Sequence, residues 1–445
     1  LAFFEFVLNL SSQRGVLLDG YKFFPPSFIT PFRTAIVKPL YDRSFVLAFL
    51  SQTWFVLANT LVSHYARWVE HLGGDVVTVG QVTAAGAVVA WALRPWMGQW
   101  INRIGARNMW AIGYLVFAVG SLGNLLIYEL HWSLALMRCL LFLGAALVFT
   151  SSLTYVTQAA PPERRSEAIG VLGAGGFFGM LIGPYLGDLI LGSADRVRVD
   201  FVVLFVAAAA SLIVPAILLL FIKTIKSKDV ANRSSFKEFI VTSWNHWPGT
   251  ILLVNVVFGV CMSVPFVFLP SYVDTLQDTS IPVVSWLTPV ALFFLGYAGW
   301  GVTVRLVVRK LPDRIGRNRV LLVGLFFMAS GMFCFPLVTQ FGAKWIWLPG
   351  MISGTGHALV FQTMTALSLT RFHAEIRGTG SALSLMMLDL GTLAGAPILS
   401  LIAKHYSYDA MFWTISASTY TVLLVYGLNR IRLKHYNRVK TLVSS

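Results

Sequence analysis

Apolar stretches of about twenty residues, each long enough to cross a bilayer core of about 30 Å as a helix, follow one another along this chain with short polar segments between them. In lipid every backbone N–H and C=O must find its partner within the segment, so these runs predict helices. The short alternating strands of a membrane β-barrel are not seen. The pattern predicts spans near 44–66, 78–100, 109–128, 133–157, 166–191, 201–222, 248–273, 285–308, 320–339, 346–368, 379–403 and 410–429. The long polar stretch over 223–246 separates the first six from the last six.

The text of the first half returns in the second. Arg94-Pro95-Trp96-Met97-Gly98, then Asn102-Arg103-Ile104-Gly105-Ala106-Arg107, is matched by Arg305 and Asp313-Arg314-Ile315-Gly316-Arg317, 211 or 210 positions later. Arg165, Gly179 and Gly183 fall 212 positions before Arg377, Gly391 and Gly395, and Gly144 and Ala146 fall 212 before Gly356 and Ala358. Two copies in the same order and direction predict parallel repeats related by an axis along the membrane normal, an arrangement found in carriers. The expected fold class is therefore an all-α membrane protein with twelve transmembrane helices in two pseudo-symmetric six-helix bundles. Its expected parts are an N-terminal segment 1–43, a bundle 44–222, a linker 223–246, a bundle 247–430 and a tail 431–445.

Lysine and arginine set the expected orientation. The two terminal segments, the linker and the loops on their side carry 26 of these residues, against five on the other side (Arg67, Arg196, Arg198, Lys344 and Lys404). The positive-inside rule places both termini and the linker in the cytoplasm, with the cytoplasmic membrane as the expected location. Segment 1–43 carries Arg14, Asp19, Lys22, Pro25 and Pro26, and its apolar stretch at 1–10 is too short to span and has no basic residues before it, so it does not read as a signal peptide.

Bulk composition narrows the class. Of the 445 residues, 56% are hydrophobic and 12% charged, about half the charged share of a soluble domain at about 25%. The net charge of +15 is dispersed among loops and not gathered on one module, which argues against nucleic acid as a partner. Cys139, Cys261 and Cys334 lie inside apolar spans with no paired spacing, so neither disulfides nor zinc is expected. There is no metal-ligand cluster, nucleophile elbow or phosphate loop, so no cofactor is expected and the chain does not read as an enzyme.

Several motifs resemble the major facilitator superfamily. Arg94-Pro95-x-x-Gly98 followed by Asn102-Arg103-x-Gly105-x-Arg107 is similar to its loop 2–3 signature, with Asn102 where that family usually has Asp. Asp313-Arg314-x-Gly316-Arg317 resembles the second copy, with Arg309 in place of the leading Gly. Arg138, Gly144 and Ala146 resemble the helix-4 signature. Pro161-Pro162-Glu163-Arg164-Arg165, then Gly170, Gly179, Gly183-Pro184 and Gly187, resemble the exporters' helix-5 signature, with Asp188 where a final Gly is usual. Arg377-Gly378-Thr379 with Asp389-Leu390-Gly391 is similar to the helix-11 pattern of sugar-efflux-like and drug-efflux-like permeases. The resemblance covers about 44–430 and is specific for the superfamily, not for one substrate. It implies a permease working by alternating access on a small-molecule substrate, expected as a monomer in the bilayer, with efflux as the direction and a proton as the coupling-ion candidate. Metabolite uptake, or a sensor of the same fold that carries nothing, remains open.

The motifs then assign candidate residues. Arg94, Gly98, Asn102, Arg103, Gly105 and Arg107, with Arg305, Asp313, Arg314, Gly316 and Arg317, are expected to form two latch turns. There an anion or amide docks on a helix N-terminus, whose dipole favours negative charge. The resemblance implies that the neighbour is helix 11 for the first copy and helix 5 for the second. Arg94 and Arg305 are expected near the cytoplasmic ends of helices 2 and 8, as parts of that latch. Gly179, Gly183 and Gly187 recur every four residues and form a smooth face. With Pro184, which bends a helix, they suggest helices that slide between the bundles, or ordinary close packing. Asp389 is the only carboxylate placed near mid-span. An unpaired carboxylate away from water is cheaper as the neutral acid, so Asp389 is the first proton-coupling candidate, or else a structural hydrogen-bonder. His357 is the second, with the same structural alternative, and Asp188 and Glu70 stand behind them. The resemblance puts helices 1, 4, 7 and 10 around the cavity, where Gln52, Asn59, Ser63, Arg138, Asn255 and Gln362 are the polar candidates. Phe55, Phe142, Phe258 and Phe361 are candidate wall residues. Arg138 is alternatively a snorkelling residue.

Overall fold

The computed structural model describes residues 41–444 except 161–163, 193–195, 225–235, 277–286, 309–310 and 374–375. The helices that follow the predicted spans are α1 (Arg43–His71), α2 (Val76–Ile104), α3 (Ala106–Leu126), α4 (Trp132–Ala159), α5 (Arg165–Leu191) and α6 (Arg198–Leu220). The second half supplies α7 (Ile251–Thr275), α8 (Pro289–Val308), α9 (Arg317–Phe341), α10 (Trp347–Ser368), α11 (Arg377–His405) and α12 (Tyr408–Ser444). Eleven of these twelve are long and apolar enough to cross a membrane. The exception, α10, has the length but is rich in Gly, Ser and Thr. Its sides are taken up by α9, α8 and α7, so it has little need of a lipid-facing apolar surface.

The repeat in the text is a repeat in space. The pairs α1·α5, α3·α4, α2·α4 and α3·α6 recur as α7·α11, α9·α10, α8·α10 and α9·α12. Glycines mark the crossings: a Cβ on Gly144 of α4 would stand 2.6 Å from the Phe117 backbone of α3, and one on Gly356 of α10 would stand 2.5 Å from the Met328 backbone of α9. Small residues give helices in lipid the close backbone approach that hydrophobicity alone cannot drive. The bundles meet along two seams, α2 against α11 and α5 against α8.

Gly105 and Gly316 end the corresponding short connections with φ of +90° and +96°. A side chain is rarely tolerated in that conformation, which explains why glycine occurs in both copies of the turn. The glycine face of α5 packs on α1, within its own bundle. Gly179 meets the backbone of Thr53 and Leu57, Gly183 meets Thr60, and Gly187 meets the His64 ring. Gly391 and Gly395 of α11 likewise meet Val256 and Val260 of α7. The expected sliding surface between bundles is therefore a tight joint inside each bundle, because the seams use the other sides of α5 and α11.

Three local features were not expected. A 3-10 turn at Val62–His64 interrupts α1. Single π-helical turns at Val264–Phe268 and Leu295–Gly299 widen α7 and α8. The linker holds a helix, Phe236–Asn245, whose Phe236 stacks on Trp96 of α2 with ring centroids 5.1 Å apart. Its Phe239 packs with Leu252, Phe372, Ala382 and Leu383. The side of the molecule bearing this helix is called the linker face below.

Adding a methyl group at Gly179 should destabilise the fold by roughly 1–3 kcal/mol, the usual cost of overpacking, because a Cβ there stands 2.6 Å from backbone atoms of α1. Gly176→Ala serves as the control, since its Cβ would be 3.8 Å from the nearest atom. Thermal unfolding of the detergent-solubilised chain should show a lowered midpoint for Gly179→Ala and little change for Gly176→Ala. Equal midpoints would mean that the α1–α5 joint yields.

Candidate functional site

A cavity of about 310 Å³ lies between the bundles and is lined from both halves. Its apolar wall includes Phe142, Phe149, Phe177, Phe258, Phe266 and Phe361, with Met180 and Met262. The π-helical turn of α7 brings Phe266 and Val267 to this wall beside Met262 and Ser263.

Of the sequence-predicted cavity residues, Gln52, Asn59, Ser63 and Arg138 line it, as do His357 and Asp389. Two others lie elsewhere. Asn255 is fully buried in a helix joint, donating to Ile251 O at 2.9 Å and Ser368 Oγ at 3.1 Å and accepting from Ser384 at 2.7 Å. Gln362 is not among the lining residues, and its Oε1 would stand 3.5 Å from a Cβ on Gly170. Phe55 is packed inside the first bundle against Tyr114, Phe117 and Phe149.

Arg94 and Arg305 correct the sequence expectation. Arg305 does stand in the last turn of α8, near the helix end as expected, but both arginines are buried and line the cavity instead of joining the turns. Arg94 stands ten residues before the end of α2, roughly 15 Å of helix at 1.5 Å per residue. From there its Nε donates to Asp389 Oδ2 at 2.6 Å and its Nη2 to Oδ1 at 3.2 Å. Nη1 donates to Thr150 Oγ1 at 2.7 Å. A two-pronged guanidinium–carboxylate pair is the strongest common form of this contact, and this one joins α2 of one bundle to α11 of the other. Asp389 is thus paired, and not the lone carboxylate the sequence suggested.

His357 accepts or donates with Tyr297 Oη at 2.7 Å. Its ring lies against Phe177, Phe258 and Phe361. Arg138 lies over the Tyr65 ring at 4.4 Å and the Phe142 ring at 5.0 Å. It is buried in the cavity wall, so it does not snorkel.

In the turns, Arg103 and Arg314 are exposed, and Gly98 has open space around it. Arg107 donates to Ile222 O at 3.1 Å and Thr224 Oγ1 at 3.3 Å, tying the turn to the start of the linker. Arg317 is half-buried at the start of α9. The side chains of Asn102 and Asp313 lie outside the described residues.

On the face opposite the linker, sequence reasoning missed a second charged site. Arg67 donates through Nε and Nη2 to Asp274 at 2.9 and 2.8 Å, and through Nη1 to Asp188 at 2.7 Å. Arg196 adds two bonds to Asp274, at 2.9 and 3.1 Å, and the Thr288 hydroxyl donates to Asp188. His64 Nε2 sits 3.1 Å from Pro184 O, and its Nδ1 is 3.0 Å from Arg67 Nη1. Because Arg67 only donates, Nδ1 accepts and Nε2 donates, which fixes a neutral tautomer. Arg67, Arg196 and Asp188 belong to the first half and Asp274 and Thr288 to the second, so this cluster clamps the bundles together. Lys404–Asp75, 2.6 Å apart, bridges α11 and the start of α2 on the same face. The available signal was Asp188, which stands where the exporter-like pattern has Gly; nothing marked Asp274.

The model of the Major Facilitator Superfamily matches residues 44–396 and 313–441. The chain belongs to the major facilitator superfamily. Relatives include Multidrug resistance protein 2 of Bacillus subtilis, 31% identical over 146 residues, which are 32% of this chain and only 34% of that protein. Multidrug resistance protein MdtG of Escherichia coli is 23% identical over 337 residues, 75% of this chain and 78% of its own. Among solved structures, a D-xylose-proton symporter superposes with a TM-score of 0.67 at 15% identity, covering 86% of this chain and 96% of its own. The nucleoside transporter NupG does so with 0.65 at 13% identity, covering 87% and 99%. At these identities the structures share the fold.

Neutralising one side of the opposite-face clamp should loosen it. In a chain with its three cysteines replaced, Ser263→Cys puts a thiol in the cavity wall. Asp274→Asn, which removes the carboxylate shared by Arg67 and Arg196, should raise labelling of that thiol by an impermeant maleimide from the opposite face several-fold. An unchanged labelling rate would show that the cluster is not what closes that face.

Proposed function

We propose that this chain is a secondary active transporter that moves a small solute across the cytoplasmic membrane by alternating access, with the linker face in the cytoplasm. One observation carries the reading: the cavity is built from both bundles, and the ion pair in its wall, Arg94–Asp389, spans the boundary between them. A site held between two bodies can be offered to either side when the bodies rock. The clamp at Arg67, Asp188 and Asp274 favours the arrangement closed on the face opposite the linker. The orientation rests on the excess of lysine and arginine on the linker face.

Asp389 is proposed as the coupling group. A proton on this carboxylate removes the charge that holds Arg94, so protonation and the contact between α2 and α11 exclude each other. Asp188 is already committed to the opposite-face clamp. Proton-driven efflux is the proposed direction, supported by the helix-5 pattern and by the multidrug resistance proteins among the relatives. Proton-coupled uptake is the second reading. It is favoured by the cavity's charge, because a proton that frees Arg94 makes the site more attractive to an anion entering with it.

In proteoliposomes with an imposed pH gradient of either sign, the wild-type chain should accumulate at least one probe from a panel of aromatic cations, anions and neutral solutes. Asp389→Asn should lower uphill flux at least tenfold while downhill exchange persists. The sign of gradient that drives accumulation decides between efflux and uptake. A variant that still concentrates the probe removes Asp389 from the coupling and transfers the role to His357.

A further inference from the structure

The two arginines that repeat in the sequence have unlike partners. Arg94 faces Asp389. Arg305 occupies the equivalent place in the second half, and the residue 212 positions before Asp389 is Phe177. The Arg305 guanidinium lies over that ring, 4.4 Å from its centroid, and 5.6 Å from the Phe361 centroid. Where the first copy has a carboxylate, the second has an aromatic face. Glycine at 173 leaves the space that this guanidinium fills, since a Cβ there would collide with Arg305 Nη1.

Arg138 is alike in kind. It is buried, rests on the rings of Tyr65 and Phe142, and its counterpart 212 positions later is Gly350. Among the described residues neither Arg138 nor Arg305 makes an ion pair or a hydrogen bond, and the Nε of each is sealed from solvent without a partner. Aromatic faces attract a cation but bring no counter-charge. A guanidinium cannot shed its proton to escape the cost, and a buried charge is tolerated only when something compensates it. The charged groups lining the cavity are Arg94, Arg138, Arg305 and Asp389, leaving two positive charges unmatched in a pocket whose remaining wall is mainly apolar, with phenylalanines its largest side chains and a few neutral polar groups such as Gln52, Asn59 and Ser63.

We infer that the solute is an organic anion with an apolar, ring-sized body, its acid group neutralising Arg138 and Arg305 and its body lying against the phenylalanine wall. This rests on the carrier reading for its biological use, but the binding it predicts does not require transport. Both guanidinium groups face one low-dielectric cavity, so each attracts the anion even where only one touches it. A bulky organic cation, the opposite class, meets two like charges there.

The test compares three probes with the same naphthalene body: 1-naphthoate, 1-naphthylmethylammonium and 1-naphthylmethanol. Binding to the full chain in nanodiscs is measured by equilibrium dialysis against empty nanodiscs, and flux is measured separately in proteoliposomes. The wild-type chain should bind 1-naphthoate saturably and at least tenfold more tightly than the cation or the alcohol. R138Q and R305Q should each weaken naphthoate binding about tenfold, and the double variant should abolish the preference for the anion. Both replacements remove an unpaired buried charge, and thermal unfolding without probe verifies that they fold. Should either fail to fold, the wild-type ranking of the three probes still decides. Equal or tighter binding of the cation, or an anion preference that survives R138Q/R305Q, overturns the inference. Saturable, arginine-dependent naphthoate binding without flux of any probe upholds the anion site and counts against the carrier reading. Flux of the cation without naphthoate binding does the reverse.

Discussion

A charge taken out of water is costly unless something compensates it, and the seam between α2 and α11 is organised around compensation by an opposite charge. Arg94 and Asp389 come from different bundles, and each would be costly to bury alone: breaking a buried pair by removing one partner typically costs about 3–5 kcal/mol. The pair therefore has two consequences. It holds the bundles in register at the depth of the cavity, and it makes that contact conditional on the ionisation of a single carboxylate. The clamp at Arg67 repeats the principle on the opposite face with more partners and with no carboxylate in the cavity wall.

Around these charged contacts the bundles are close to rigid. The joints α1–α5 and α7–α11 bring backbone against backbone through glycine, and packed interfaces of this kind behave as discrete arrangements, not as a continuum. If the bundles move against each other as the proposed cycle requires, the seams where α2 meets α11 and α5 meets α8 are the contacts that would have to change. Among the described residues π-helical turns occur only in the second half, in α7 and α8, so the two halves of the cavity wall differ in shape as well as in charge, despite the repeat in their sequence.

The fold was legible because its signals are periodic: apolar runs of membrane length, a polar break in the middle and a repeat at a fixed offset. Gly105 and Gly316 were legible for the same reason, since a positive φ leaves few alternatives to glycine. The site was only partly so. Gln52, Asn59 and Ser63, at offsets of seven and four, share one face of the helix that the resemblance put at the cavity, and they line it. Asn255 has the same character in sequence but faces α10 and α11, and rotation about a helix axis cannot be read where apolar residues surround the polar one on every side. Arg94 and Arg305 were assigned to the latch because their motif continues into the turns, although both side chains reach the cavity, Arg94 from ten residues inside α2 and Arg305 from the last turn of α8. The pairing of Arg67 with Asp274 joins residues 207 positions apart, a distance at which one sequence contains no information about contact.

The Arg67 cluster also connects the protein to its medium. Arg67 is sealed from solvent, whereas Arg196 and Asp274 keep 19% and 27% of their side-chain surface in contact with it. Mobile ions weaken attraction between exposed charges, with a screening length of about 8 Å at physiological ionic strength, and they scarcely reach a buried one. Brine on that side would therefore erode the outer part of the clamp first and leave the bond between Arg67 and Asp188 as its core. The depth at which each of these four charged side chains is sunk therefore sets the order in which salt would weaken the bonds of the clamp.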